Sequence, residues 1–124
     1  FYRSADWCPF CKEQLKDLNS IAADLDAKGY PLVALSYDPV DTLKKFHGKE
    51  GLAYTLISDP DSEIIDAFGV RNEEVAGNRR FDGIPHPAIF FINTDGVVEA
   101  KLYEESYRDR PETELIIETV DDLT

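Results

Sequence analysis

Cys8 and Cys11 are the residues in this chain best suited to covalent chemistry, and two residues separate them. They lie in Phe1-Tyr2-Arg3-Ser4-Ala5-Asp6-Trp7-Cys8-Pro9-Phe10-Cys11-Lys12, an aromatic and apolar run that leads into a helical pattern. Leu15, Leu18, Ile21, Ala22 and Leu25 are spaced for one face of that helix. The dithiol therefore belongs where a strand turns into a helix start. Pro9 suits the first helical position, because its ring presets φ and its missing N–H had no partner there. Cys8 then falls at the helix mouth, beside unpaired N–H groups and the positive end of the macrodipole. Cys11 falls in the first turn, partly covered.

A free thiol has a pKa of about 8.5, and a Cys-X-X-Cys at a helix start lowers it to about 7 or below. Such a shift needs roughly 2 kcal/mol. The helix dipole supplies about 0.3–1 kcal/mol, and up to ~2 when partly buried; N–H and S–H donors to the Cys8 sulfur must supply the rest. This makes Cys8 the expected nucleophile, reachable from solvent, and Cys11 the resolving thiol. A redox dithiol leads because a C-x-x-C beside a βα pattern carries that signal. A static disulfide is the second reading, although so small a loop gains little from closure. A metal site is the third; zinc wants four ligands, and the chain offers two Cys plus His47 and His86 with no second C-x-x-C. No metal or organic cofactor is expected.

The chain of 124 residues is long enough for one domain, taken as 1–124, with a real core. A net charge of −12 disfavours nucleic acid and anionic membranes as partners. No apolar run approaches the ~20 residues of a membrane span, so no membrane insertion is expected. The two cysteines leave the compartment open between cytoplasm and periplasm. Phe1-Tyr2-Arg3 is short for a strand of about 5–6 residues, so an upstream segment is expected to be missing.

The elements follow from periodicity and punctuation. A first helix is expected from about Pro9 to Lys28, stopped by Gly29. Leu32 to Tyr37 reads as a buried parallel strand ended by Asp38-Pro39. Asp41 or its neighbourhood caps a short helix through about Lys49, with Val40, Leu43 and Phe46 inward. Tyr54 to Ser58 is a strand, and Asp61 caps a helix carrying Ile64, Ile65 and Phe68. Val70 to Ile84 is a polar loop long enough to suspect a role. Ala88 to Asn93 and Val97 to Tyr103 form a hairpin around Thr94-Asp95-Gly96. Pro111 opens a last helix with Leu115, Ile116, Val120 and Leu123 on one face. The order βα, βα, βα, hairpin, helix is an α/β sandwich: a central mixed sheet with helices on both faces.

FYRSADWCPFCKEQL, Phe1 to Leu15, resembles the active-site stretch of thioredoxin-fold proteins. It is most similar to the peroxiredoxin-like branch, the alkyl hydroperoxide reductase/thiol-specific antioxidant (redoxin) superfamily. SYDPVDTLKKFHGKEGLAYTLISDPDSEIIDAFGV, Ser36 to Val70, resembles the family's Asp-ended strand, short helix, SDP turn and FGV helix end. PAIFFINTDGVV, Pro87 to Val98, is similar to the strand pair that follows. The resemblance implies a thioredoxin-like three-layer sandwich.

It also marks departures. A peroxidase of this superfamily usually carries a Pro, then a Thr or Ser three residues before its peroxide-reacting Cys; with an Arg, these bind the peroxide oxygens. Counted from Cys8 the Thr/Ser position is Ala5, and counted from Cys11 it is Cys8 itself. The Pro position is Phe1 or Ser4, and the family Arg position is Pro87. Pro87 instead resembles the thioredoxin cis-Pro that faces the dithiol, which implies a cis His86–Pro87 bond with His86 close to Cys8; Pro85 is the rival position. Trp7 is expected as a partly buried cover. Tyr2, Phe10, Phe90 and Phe91 are expected in the core. Arg79, Arg80, Arg108 and Arg110 read as surface charges, one of which could replace the missing Arg. Asp6 reads as a local cap or a proton relay to Cys11.

The leading expectation is a thiol–disulfide oxidoreductase acting on a protein disulfide and restored by a partner dithiol reductase. The first alternative is a thiol peroxidase reducing hydroperoxides. The second is a non-catalytic binding module with a static disulfide.

Overall fold

The computed structural model describes residues 1–103 and 112–124. Its helices are α1 (Pro9–Asn19), α2 (Ala22–Ala27), α3 (Val40–Glu50), α4 (Glu63–Ala67) and α5 (Thr113–Leu123). Its strands are β1 (Val33–Ser36), β2 (Thr55–Ser58), β3 (Ala88–Ile92) and β4 (Val98–Tyr103), with a 3₁₀ turn at Glu73–Val75. β1 and β2 pair in parallel across the α3 crossover, and β3 and β4 pair antiparallel. Phe1 and Tyr2 join the two pairs. Tyr2 N–H donates to the Leu35 carbonyl at 3.1 Å, while Phe1 and Ala88 exchange backbone bonds at 2.8 and 3.2 Å. Two two-stranded sheets, β2-β1 parallel and β3-β4 antiparallel, are thus bridged side by side by Phe1–Tyr2.

Alternation along the strands builds two cores. Tyr2, Ala34 and Phe91 face one side and pack with Leu15, Leu18, Leu25, Leu43, Phe46, Ile116 and Val120 from α1, α2, α3 and α5. Phe1 and Leu35 face the other, with Ile65 of α4, Val70 and Phe68. Phe1, Phe68 and Phe90 form an aromatic triangle there, with centroids 5.0 to 5.5 Å apart.

Local chemistry moved several expected boundaries. The long first helix is two helices. The Ser20 hydroxyl bonds back to the Asp17 carbonyl at 2.6 Å, and the turn tightens before α2 restarts the apolar face with Ala22 and Leu25. Asp59, not Asp61, caps α4: its Oδ2 accepts from the N–H groups of Ile64 and Ile65 at 3.0 and 2.8 Å. Val40, on the first turn of α3, is 54% exposed rather than inward. The start of the last helix at Pro111 lies outside the described residues; Glu112 flanks α5.

The 70–84 segment is tied down. Arg71 bridges to Pro85, and its guanidinium holds Asp66 and Asp82 at 2.8 and 3.2 Å. Ser62 donates to the Gly83 carbonyl at 2.7 Å, and a Cβ on Gly83 (φ +99°) would stand 2.6 Å from that hydroxyl oxygen. An apolar cavity of about 640 Å³ is lined by Phe1, Leu18, Val33, Phe90 and Ile92 among others. No helix among the described residues is long and apolar enough to cross a membrane.

Candidate active site

Cys8 stands at the N-cap of α1 in extended backbone (φ −102°, ψ 99°), and Pro9 opens the helix. The Cys8 sulfur accepts the Cys11 N–H at 3.3 Å, and the Cys8 carbonyl accepts the Lys12 N–H at 3.0 Å. The Cys8 sulfur therefore takes one of the otherwise unpaired donors of the first helical turn. Cys8 and Cys11 are joined as a disulfide with Cα atoms 5.2 Å apart. A redox-active pair and a static one share that geometry.

Accessibility differs from expectation. Cys8 is 1% exposed and Cys11 0%. Both pack within the α1 core cluster beside Tyr2, Ala5 and Leu15, which closes the surface over the sulfurs. Phe10, expected in the core, is instead 42% exposed, because the first helical turn directs it outward. A reagent reaches either sulfur of the oxidised motif only after this turn opens.

A buried acid organises the approach to Cys8. Asp38 is 3% exposed. Its Oδ1 accepts the Ser4 hydroxyl at 2.7 Å; its Oδ2 accepts the Ala5 N–H at 2.7 Å and the Ser36 hydroxyl at 2.8 Å. Ser4 Oγ in turn accepts the Asp6 N–H at 2.9 Å and, more weakly, the Trp7 N–H at 3.4 Å. The local cap is therefore Ser4 rather than Asp6. Sequence reasoning passed over Ser4, Ser36 and Asp38 as a group. The available signal was a Ser-x-Asp ending a strand beside a Ser four residues before the first Cys.

Below this network the Tyr2 hydroxyl is buried without a hydrogen-bond partner among the described residues. Burial pushes its pKa well up and the nearby Asp38 adds to the rise, while Ser36 lies close enough to oppose it without completing a bond.

Trp7 is partly buried and covers the motif from the loop side. Its Nε1 donates to the Tyr37 hydroxyl at 2.9 Å, which donates to the Arg80 carbonyl at 2.8 Å. Burial raises the Tyr37 pKa, keeping that hydroxyl protonated as a donor. Phe81 stacks edge-on at 4.7 Å, and the guanidinium groups of Arg3 and Arg80 lie 4.8 and 6.0 Å from the indole centre. The 70–84 loop thus closes over the motif through Arg80 and Phe81. Arg3 joins this cluster without having been singled out; Arg79 is exposed. Arg108 and Arg110 lie outside the described residues.

The structure corrects the expectation at Pro87. Among the described residues no peptide bond is cis, so His86–Pro87 is trans. The reason lies in backbone pairing: His86 N–H donates to the Val70 carbonyl at 2.6 Å and Asn72 N–H to the Ile84 carbonyl at 2.9 Å. These bonds hold the chain into β3 as an extended trans segment. Pro85 and Pro87 are buried. The half-buried His86 ring sits 6.1 Å from that of Tyr103, and none of its described hydrogen bonds or ring contacts involves the dithiol.

His47 Nε2 pairs with the Tyr54 carbonyl at 3.0 Å. No group of three or more His, Cys, Asp or Glu among the described residues is arranged to hold a metal ion.

Comparison with known proteins agrees with this architecture. The model of the AhpC/TSA family matches residues 1–101. A putative peroxiredoxin bcp of Haemophilus influenzae is 36% identical over 90 residues, covering 73% of this chain and 57% of the relative. Peroxiredoxin Bcp of Escherichia coli is 34% identical over 99 residues, covering 80% and 62%. The chain thus spans about three fifths of the length of these relatives. Among solved structures, the peroxidoxin BcpB of Mycobacterium tuberculosis superposes with a TM-score of 0.81 at 23% identity, covering 100% of this chain and 77% of that one. AhpC of Enterococcus faecalis gives 0.82 at 20% identity, covering 99% and 72%. At that identity the structural likeness speaks for the thioredoxin-like fold.

Proposed function

Because this chain belongs to the AhpC/TSA family, we propose that it is a thiol-dependent peroxide reductase working through Cys8 and Cys11. The observation that carries the reading is the Cys8–Cys11 disulfide at a helix start in a chain of that family. The relatives' names, peroxiredoxins, support peroxide over protein disulfide as the substrate, which reverses the order expected from the motif alone.

The Cys8 thiolate attacks one oxygen of ROOH. The O–O bond breaks, RO⁻ leaves and takes a proton, and Cys8 becomes a sulfenic acid. The Cys11 thiol then attacks the Cys8 sulfur, water leaves, and the intramolecular disulfide forms. An external dithiol returns both electrons by thiol–disulfide exchange. In this reading Pro9 sets the helix start and Trp7 covers the motif. With a trans bond before Pro87, the docking role that depended on a cis bond has no part in this reading.

A thiol–disulfide oxidoreductase is retained as the second reading on one specific observation. The position three residues before Cys8 is Ala5, and the nearby Ser4 hydroxyl is already engaged by Asp38, Asp6 and Trp7. It is not free to bind a peroxide oxygen. The deciding experiment mixes the fully reduced protein with hydrogen peroxide and follows peroxide loss and disulfide formation, with insulin-disulfide reduction alongside. Peroxide loss much faster than with an unactivated thiol supports the peroxidase. Slow peroxide loss with brisk insulin reduction moves the assignment to disulfide exchange. Inertness in both leaves a static disulfide.

A further inference from the structure

The carboxylate of Asp38 receives three donors and is linked to the backbone immediately before Cys8. Ala5 N–H binds it directly; Asp6 and Trp7 N–H reach it through the Ser4 hydroxyl. Three consecutive amides before the nucleophile are therefore referred to one buried side chain just past the C-terminal end of β1. The donor–acceptor pattern closes only with a group that accepts at both oxygens. Ser4 must donate its one hydroxyl hydrogen to Asp38 in order to leave its lone pairs for Asp6 and Trp7. An amide at 38 would place an NH₂ against one of the three donors. If it met Ser4, that hydroxyl would have to accept three times.

We propose that Asp38, acting through Ser4, is the positioning residue that fixes Cys8 at the N-cap of α1, so that its sulfur meets the Cys11 N–H and the helix dipole. The inference rests on the redox reading of Cys8. Ser36 provides the internal control. It also donates to Asp38, but it makes no bond to the 4–7 turn. Removing its hydroxyl disturbs the charge of Asp38 without disturbing the turn.

The test titrates Cys8 in the reduced protein by thiolate absorbance for wild type, Ser4→Ala, Ser36→Ala and Ser4→Thr. The expected result is a thiolate fraction at pH 7 reduced at least threefold in Ser4→Ala, largely restored in Ser4→Thr, and nearly unchanged in Ser36→Ala. A Ser4→Ala titration matching wild type overturns the proposal. So do equal shifts in Ser4→Ala and Ser36→Ala, which would mean a general softening of the network. If Ser4→Ala does not fold, amide hydrogen exchange on reduced wild type decides. Slow exchange at Ala5, Asp6 and Trp7 with the disulfide open supports the frame, and free exchange there overturns it. Loss of peroxide and insulin activity in wild type would remove the redox reading; the variant-to-variant difference in thiolate fraction is measured separately from it.

Discussion

The C-terminal end of β1 and the sheet face under α4 are finished in opposite ways. At the end of β1, Ser36 and Asp38 meet Ser4 and Ala5 in a buried polar network. Under α4, Leu35, Ile65, Val70 and Ala88 pack as apolar side chains against Phe1, Phe68 and Phe90. The contrast separates what holds the chemistry from what closes the core. A carboxylate left unpaired in the interior is costly, so a network that buries one must be complete. An apolar face has no such requirement, because each contact contributes only a small dispersion and transfer term.

The comparison can be broken most severely at the motif. Cys8→Ser should bring peroxide turnover down to background, while Cys11→Ser should allow one oxidation of Cys8 and then stall; thiol counting after a single addition of peroxide distinguishes them. Asp38→Asn should come next. It leaves a donor facing a donor in a buried network, a cost of about 2 kcal/mol, read as a lower urea midpoint with an unchanged slope. Substitutions at exposed apolar positions should do far less.

Two tyrosines sharpen the contrast at smaller scale. Tyr54 donates its buried hydroxyl to the Leu15 carbonyl at 2.6 Å, whereas the Tyr2 hydroxyl has no partner among the described residues. Tyr54→Phe should cost about 1 kcal/mol and Tyr2→Phe should be neutral or stabilising. Burial raises the pKa of both above the ordinary tyrosine value of about 10. Unfolded tyrosine ionises near that value while the folded groups stay neutral. Their stabilising contribution is therefore complete below about pH 10 and is lost as the pH climbs above it toward the folded values. Tyr2→Phe should flatten the alkaline decline, measured by urea unfolding from pH 8 to 11. The smallest effect is expected at exposed apolar positions. Ile92→Lys, at a 42% exposed site, should change stability by less than about 0.5 kcal/mol, read from the urea midpoint.

Much of the framework was open to reading before any coordinates. The Cys8-Pro9 pair with its downstream apolar spacing marked the helix start. The Leu32–Tyr37 and Ala88–Asn93 runs marked strands, and Thr94-Asp95-Gly96 marked a hairpin turn, because these are contests settled by neighbours in the chain. Local side-chain competition at Ser20 and Asp59 shifted helix ends in ways that periodicity does not register.

The amino-acid order alone was enough to determine that this is an α/β chain built around a dithiol at a strand-to-helix turn, since hydrophobic period, proline and cysteine spacing act within a few residues. Tertiary structure decided the burial of both sulfurs, the trans bond before Pro87 and the tie from Asp38 to the turn before Cys8. Each of these depends on which distant segments meet: β1 with residues 4–5, Val70 with His86, and the 70–84 loop with Trp7. Spacing along one stretch of chain carries no record of such encounters.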